Sequence, residues 1–261
     1  WETGAVYTWF PKGGPLLSWG PGFEANINWD REGRVQDWRL NPEVEFEFPR
    51  NTSVFIGVDR AYERFAGIGF DKRAAFGFFN TEWLKWLSVS FGWSRSRRIN
   101  YYPAAGLTPF LANETEVEAG LTFRPFPGLR VQETYIHNRL GLGAERPAGL
   151  PVGGSIFRLH LARTKVTYQF TRALSLRAIL DYNGLTPTPE LVALERDRRL
   201  TGDVLFTCLL NPGTALYLGY TDAYANVRID PTLPRSLSRT DAARTSVGRQ
   251  LFVKLSYLLR Y

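Results

Sequence analysis

The chain has 261 residues, 44% of them hydrophobic and 15% aromatic, with a net charge of +7 carried mostly by arginine and a mean hydropathy of −0.22. No stretch approaches the run of about 18 apolar residues that a membrane-spanning helix needs. That excludes one class of membrane protein but leaves another, since spanning strands alternate in hydrophobicity and look soluble on average. The lone Cys208 excludes a disulfide framework and a thiolate metal site.

Taken in chain order, the sequence alternates with period two, the signature of strands with two different faces. The opening "WETGAVYTWFPKGGPLLSWG" (1–20) reads as a strand, a short turn and a second strand. "FEANINWD" sets Phe23, Ala25, Ile27 and Trp29 against Glu24, Asn26, Asn28 and Asp30. "EVEFEF" sets Val44, Phe46 and Phe48 against Glu43, Glu45 and Glu47, and "SVFIGV" continues with Val54, Ile56 and Val58. The same rhythm returns in "LSVSFGW" (87–93), "EVEAGLTFR" (116–124), "TKVTYQF" (164–170) and "LSLRAILDY" (174–182). Only 191–200 suggests a short helix.

Short connections at 49–52, 80–83, 124–128, 170–173 and 211–214 are rich in turn residues. Longer ones are expected at about 60–71, 95–112, 138–155, 183–198 and 222–246. Short and long alternate, as tight periplasmic turns and long extracellular loops do in an outer-membrane barrel. Aromatics cluster toward predicted strand ends (Trp29, Trp38, Phe48, Trp83, Trp86, Trp93, Phe123, Phe170, Tyr182, Tyr220), where membrane interfaces favour them. A soluble β-sandwich would instead bury these residues between two sheets.

The expected fold is therefore all-β: an antiparallel transmembrane β-barrel of about 14 strands, with short periplasmic turns and long extracellular loops, in one domain over 1–261. About 13 strands are counted, bacterial barrels are normally even-numbered, and methionine is absent even at position 1. These observations point to a processed chain or to the C-terminal part of a longer one.

Alternation assigns Glu24, Glu43, Glu45, Glu47, Glu116, Glu118, Arg124, Lys165, Arg177, Lys254 and Arg260 to the polar face, as candidates for a lumen wall. Such a wall either lines water or pairs across a narrow interior. His137 and His160, with Asn138, Ser155 and Thr164 near them in sequence, form no recognisable nucleophile motif. No calcium-loop spacing, phosphate loop or nucleotide signature is present, so no catalytic residue, cofactor or metal is expected. Scattered arginines argue against a nucleic-acid partner.

The chain ends on "GRQLFVKLSYLLRY" (248–261), with Val253, Leu255, Tyr257, Leu259 and Tyr261 at alternate positions. This resembles the C-terminal signal of outer-membrane proteins, which implies recognition by the barrel-assembly machinery. "YQFTR" (168–172), "SLRAILDYN" (175–183), "NPGTALYLGYTD" (211–222) and "LFVKLSYLLRY" (251–261) are similar to an uncharacterised bacterial barrel family. Members of that family often carry a carbohydrate-binding-family-9-like domain ahead of the barrel. The resemblance is clearest over 160–261 and implies no functional residue. The expected location is the outer membrane of a Gram-negative-type bacterium, in contact with membrane lipid and lipopolysaccharide. Two functions are expected in order: a pore for small polar solutes, then a structural anchor for a periplasmic or surface protein or for an N-terminal domain. A surface hydrolase using His137 or His160 ranks third.

Overall fold

The computed structural model describes residues 1–150, 153–211, 213–232 and 236–258. Twelve long segments follow the short strand β1 (Glu2–Val6). They begin with β2 (Ser18–Trp29), β3 (Val35–Phe48), β4 (Thr52–Phe65), β5 (Ile68–Leu84) and β6 (Leu87–Asn100). They continue through β7 (Phe110–Phe126), β8 (Leu129–Leu142), β9 (Ser155–Gln169), β10 (Leu174–Pro187), β11 (Asp197–Asn211) and β12 (Thr214–Ala225). A small hairpin of β13 (Val227–Asp230) and β14 (Ser236–Arg239) precedes the last strand, β15 (Thr245–Tyr257). Strands β1 to β12 and β15 form one 13-stranded sheet in chain order, every pair antiparallel. There is no helix among the described residues. The segment 191–200, where a helix was expected, instead makes one turn, closed by the Leu191 and Val192 amides on the Thr188 carbonyl, and then enters β11.

Adjacent strands turn over at two ends. At one end lie the connections 49–51, 85–86, 127–128, 170–173 and 212–213. At the other lie 30–34, 66–67, 101–109, 143–154, 188–196 and the hairpin-bearing 226–244. These are called the turn end and the loop end. The expectation of a long loop at 60–71 is corrected: Phe65 pairs with Ile68 and Arg64 with Gly69, so both strands run out to a tight turn at Ala66–Gly67. Both turn residues have positive φ (51° and 79°), the twist that joins two right-twisted strands most compactly. The turn expected at 80–83 lies at 85–86, since β5 runs on to Leu84, with a register irregularity between Thr81 and Leu84.

Directly opposed residues share a face, so the register fixes both faces of the sheet. One is apolar: Val44 faces Ile56, Phe79 faces Phe91, Trp93 faces Val117, Ala178 faces Val204, and Leu218 faces Val253. No second layer covers this face among the described residues; Ile56 is 49% exposed, Leu180 48% and Leu251 68%. A sandwich would have buried these side chains, so a single sheet replaces the two that architecture requires. On β3 the apolar face runs from Trp38 to Phe48. Ten residues at about 3.3 Å each, tilted by about 40°, span roughly 25 Å, the height of a lipid-facing band.

Aromatics gather on the apolar face at the turn end. Trp9 stacks on Trp19 at 4.8 Å and Trp19 on Phe46 at 6.2 Å, while Trp86 meets Phe123 edge-on at 5.7 Å. Tyr168 meets Phe170 edge-on at 4.5 Å, and the Arg50 guanidinium lies 4.7 Å over Trp83. Trp93 and Tyr220, expected at strand ends, lie near the middle of β6 and β12.

Candidate functional site: the charged face

The opposite face carries the charge. Its continuity follows strand by strand. Glu24 shares the face of Asn41, Glu43 faces Gly57, Gly57 faces Phe76, and Phe76 faces Ser94. Ser94 then faces Glu116 and Gly92 faces Glu118, and from there the face passes through Gln132 opposite Lys165. Thr167 opposite Arg177, Leu205 opposite Gly219 and Tyr217 opposite Lys254 complete it. The register therefore brings Glu24, Glu43, Glu45, Glu47, Glu116, Glu118, Lys165, Arg177 and Lys254 onto one face. Arg124 joins them through its hydrogen bond to Ser88 at 3.2 Å. Arg260 lies outside the described residues, as do Leu259 and Tyr261 of the terminal pattern. Val253, Leu255 and Tyr257 occupy the apolar face of β15, each about two-thirds exposed.

The charges on this face are biased by position rather than separated. Acids, among them Glu24, Glu43, Glu45, Glu47, Glu116 and Glu118, outnumber Arg39, Lys72, Arg98 and Arg124 on β2 to β7, whereas Arg130, Arg163, Lys165, Arg177, Arg199 and Lys254 outnumber Asp181, Asp197 and Asp203 on β8 to β15. Among the described residues, Glu24, Glu43, Glu45, Glu118, Lys165 and Arg177 make no side-chain hydrogen bond or ion pair. Glu47 accepts a bond from Ser18 at 2.8 Å, and Lys254 sits 5.9 Å over the Tyr217 ring.

Toward the loop end the same face closes up. Glu114, 5% exposed, accepts bonds from Arg98, Ser96 and Asn138 at 2.9–3.1 Å, and Asn138 also reaches Glu116 at 2.8 Å. Glu63 takes Lys72 at 2.5 Å and the Tyr101 hydroxyl at 2.9 Å. Burial, with the Glu63 carboxylate beside it, pushes the Tyr101 phenol up to about 12. The connection 188–196 folds onto this end: Val192 pairs with Pro103, the Ala193 amide reaches the Tyr102 carbonyl, and Asn100 donates to the Leu191 carbonyl at 2.9 Å. Leu191 and Val192 pack with Phe110, Leu140, Leu142 and Ile156 in the larger of two small buried clusters. The charged face is thus open along its length and covered by two connections at one end.

The histidines are brought together, but on the apolar face. His137 directly faces His160, their rings 4.5 Å apart, and the Tyr135 hydroxyl bonds His160 Nδ1 at 2.8 Å. Their sequence neighbours engage elsewhere: Ser155 donates to the Phe157 carbonyl, Thr164 to Glu133, and Asn138 to acids of the charged face. Sequence reasoning missed the Arg98–Glu114–Asn138 network. Its only advance sign is that Ser96, Arg98 and Asn100 share one parity.

No protein-family model matches the chain, and no curated protein matches it. Among solved structures, it is similar to outer-membrane expressed OmpT of Vibrio cholerae, with a TM-score of 0.38 and 10% identity. That alignment covers 98% of this chain and 95% of the other.

Proposed function

We propose that the chain spans a bacterial outer membrane as a β-barrel and that its charged face lines a pore for small polar solutes. One observation carries this: an uncovered apolar face of bilayer height backs a charged face on which Glu24, Glu43, Glu45, Glu118, Lys165 and Arg177 make no ion pair, with acids predominating on β2–β7 and bases on β8–β15. In lipid, unpaired backbone groups cost several kcal/mol each, so a spanning sheet closes on itself. Closure sets the β2–β7 acids across from the β8–β15 bases, and a transverse field of that kind discriminates ions by sign. Lipid and lipopolysaccharide then contact the apolar face. Val253, Leu255 and Tyr257 present the alternation that the assembly machinery reads.

Single-channel conductance in a planar bilayer tests the pore. Discrete steps are expected, with Glu45→Lys shifting selectivity toward anions and Arg177→Glu toward cations. A silent bilayer from a sample that shows heat-modifiable folding would sink this function while leaving the fold standing. The covered loop end favours a second reading, an occluded barrel that anchors a periplasmic or surface partner. No catalytic role is assigned to His137 or His160.

A further inference from the structure

Arginines stand on the apolar face at its loop-end rim, one step beyond the last apolar residues of their strands. On β4 the face reads Val54, Ile56, Val58 and then Arg60; on β5 it reads Phe79, Gly77, Ala75 and then Arg73. Arg60 and Arg73 are directly opposed. The arrangement repeats on β8 and β9, where Arg139 directly faces Arg158 one step beyond the histidine pair. All four are exposed, and none makes a hydrogen bond or ion pair among the described residues. Like charges directly opposed on a strand face destabilise the pair, so two such pairs on one rim oppose folding unless an anion bridges them.

The first pair opens on a cleft of about 430 Å³ shared with Arg97, Asp71, Glu145 and Leu111. Arg97 is held by Glu145, which leaves Asp71 as the only other acid there and the cleft net positive. We infer that these arginine pairs bind the phosphate of a lipid headgroup, each pair gripping one phosphate while the acyl chains lie along the apolar face below. Guanidinium groups suit the task because their planar fork matches phosphate oxygens. One step along the same strands from Arg60 and Arg73, Val58 faces Ala75 on the apolar band, so acyl chains attached to a phosphate held there have an apolar surface directly below. This rests on the membrane-spanning reading proposed above.

The test uses the full chain folded in detergent and transferred to vesicles of the phosphate-free lipid digalactosyldiacylglycerol. These carry, in turn, diphosphoryl lipid A, the same lipid dephosphorylated, or phosphatidylglycerol, and a further arm adds inorganic phosphate to the buffer. Bound lipid is counted by native mass spectrometry after extraction. Retention of the phosphorylated lipids is expected, at least tenfold above dephosphorylated lipid A. Arg60→Gln with Arg73→Gln should lower it about tenfold, as should Arg139→Gln with Arg158→Gln, while Arg177→Gln on the opposite face leaves it unchanged. Retention that ignores phosphate or either double variant would overturn the site. Equal, variant-sensitive binding of inorganic phosphate alone would overturn the lipid source. Vesicle flotation separates the two failures: protein that does not float removes the spanning reading, whereas protein that floats but holds every lipid alike removes only the arginine site.

Discussion

Ala66 holds a left-handed conformation, with φ at 51°, that its Cβ disfavours. It does so because the two-residue turn it makes with Gly67 demands positive φ at both positions. A non-glycine residue held there costs on the order of 1 kcal/mol or more. Asparagine tolerates that region far better, so Ala66→Asn is expected to stabilise the folded chain by about 0.5–1 kcal/mol, read from urea unfolding in detergent. Asp30 governs the neighbouring turn differently. Its carboxylate accepts the Glu32 and Arg34 amides, each at 2.9 Å, and the Arg34 Nε at 2.8 Å. The Arg34 side-chain bond holds its carboxyl below the usual value. A depressed folded-state value stabilises above the unfolded one, near 3.9, and that contribution disappears as pH falls below it. Protease cleavage in 30–34 should therefore be slow at pH 6 and rise below pH 4, whereas Asp30→Asn should cleave readily at both.

At the scale of the strand, adjacent residues meet different surroundings. Phe91 lies on the apolar face of β6 between Phe79 and Ala119, while Ser94 lies on the charged face opposite Glu116. Phe91→Lys should cost about 2–4 kcal/mol in a bilayer, and Ser94→Lys, placed beside Glu116, no more than about 0.5 kcal/mol. Equal losses would deny that the two faces meet different media. The same contrast explains which strands were legible. In β3, "EVEFEF" alternates cleanly because glutamates face open space while Val44 and Phe46 face outward on the apolar side. In β5 the charged face carries Phe76 and Phe78 and the apolar face Phe79, so "FGFF" has no alternation to find. Phe76 lies there because Gly57 opposite leaves room: a Cβ on Gly57 would meet its ring at 2.5 Å. In β8 and β9 the loop-end cluster buries Leu140 and packs Phe157 on the charged face, while Glu133 and His137 occupy the apolar one, which inverts the signal. Connection 60–71 looked like a loop for a related reason. Beyond the apolar band, Arg60, Tyr62 and Arg64 on one side and Glu63 and Lys72 on the other are polar on both faces. A strand in water on both sides carries no period. The shared face of Glu43, Glu45, Glu116 and Arg177 was legible because parity alone assigns it; the Arg98–Glu114–Asn138 network was not, since it depends on the register between three strands.

At the scale of the whole molecule, the thirteen antiparallel strands among the described residues leave β1 and β15 pointing the same way, each paired there on one side only. Direct closure between them makes a single parallel pair, while antiparallel closure takes one more strand. Either route satisfies a row of backbone groups that lipid would otherwise leave bare at several kcal/mol apiece. Amides along a strand point alternately to its two neighbours, so half of those in β15 are held by β12 and half point the other way. Hydrogen exchange therefore reads closure strand by strand. In vesicles, both alternate sets in β15 are expected to exchange as slowly as the amides of β7, which has partners on both sides. If one alternate set exchanges as fast as the amides of 143–150, the edge is free in the membrane. A free edge breaks the transverse arrangement of acids against bases, because the two halves of the charged face would no longer be held opposite one another. The proposed pore requires closure, so a free β15 edge would rule it out before any conductance is recorded, whereas a held edge leaves the conductance to choose between an open and an occluded barrel.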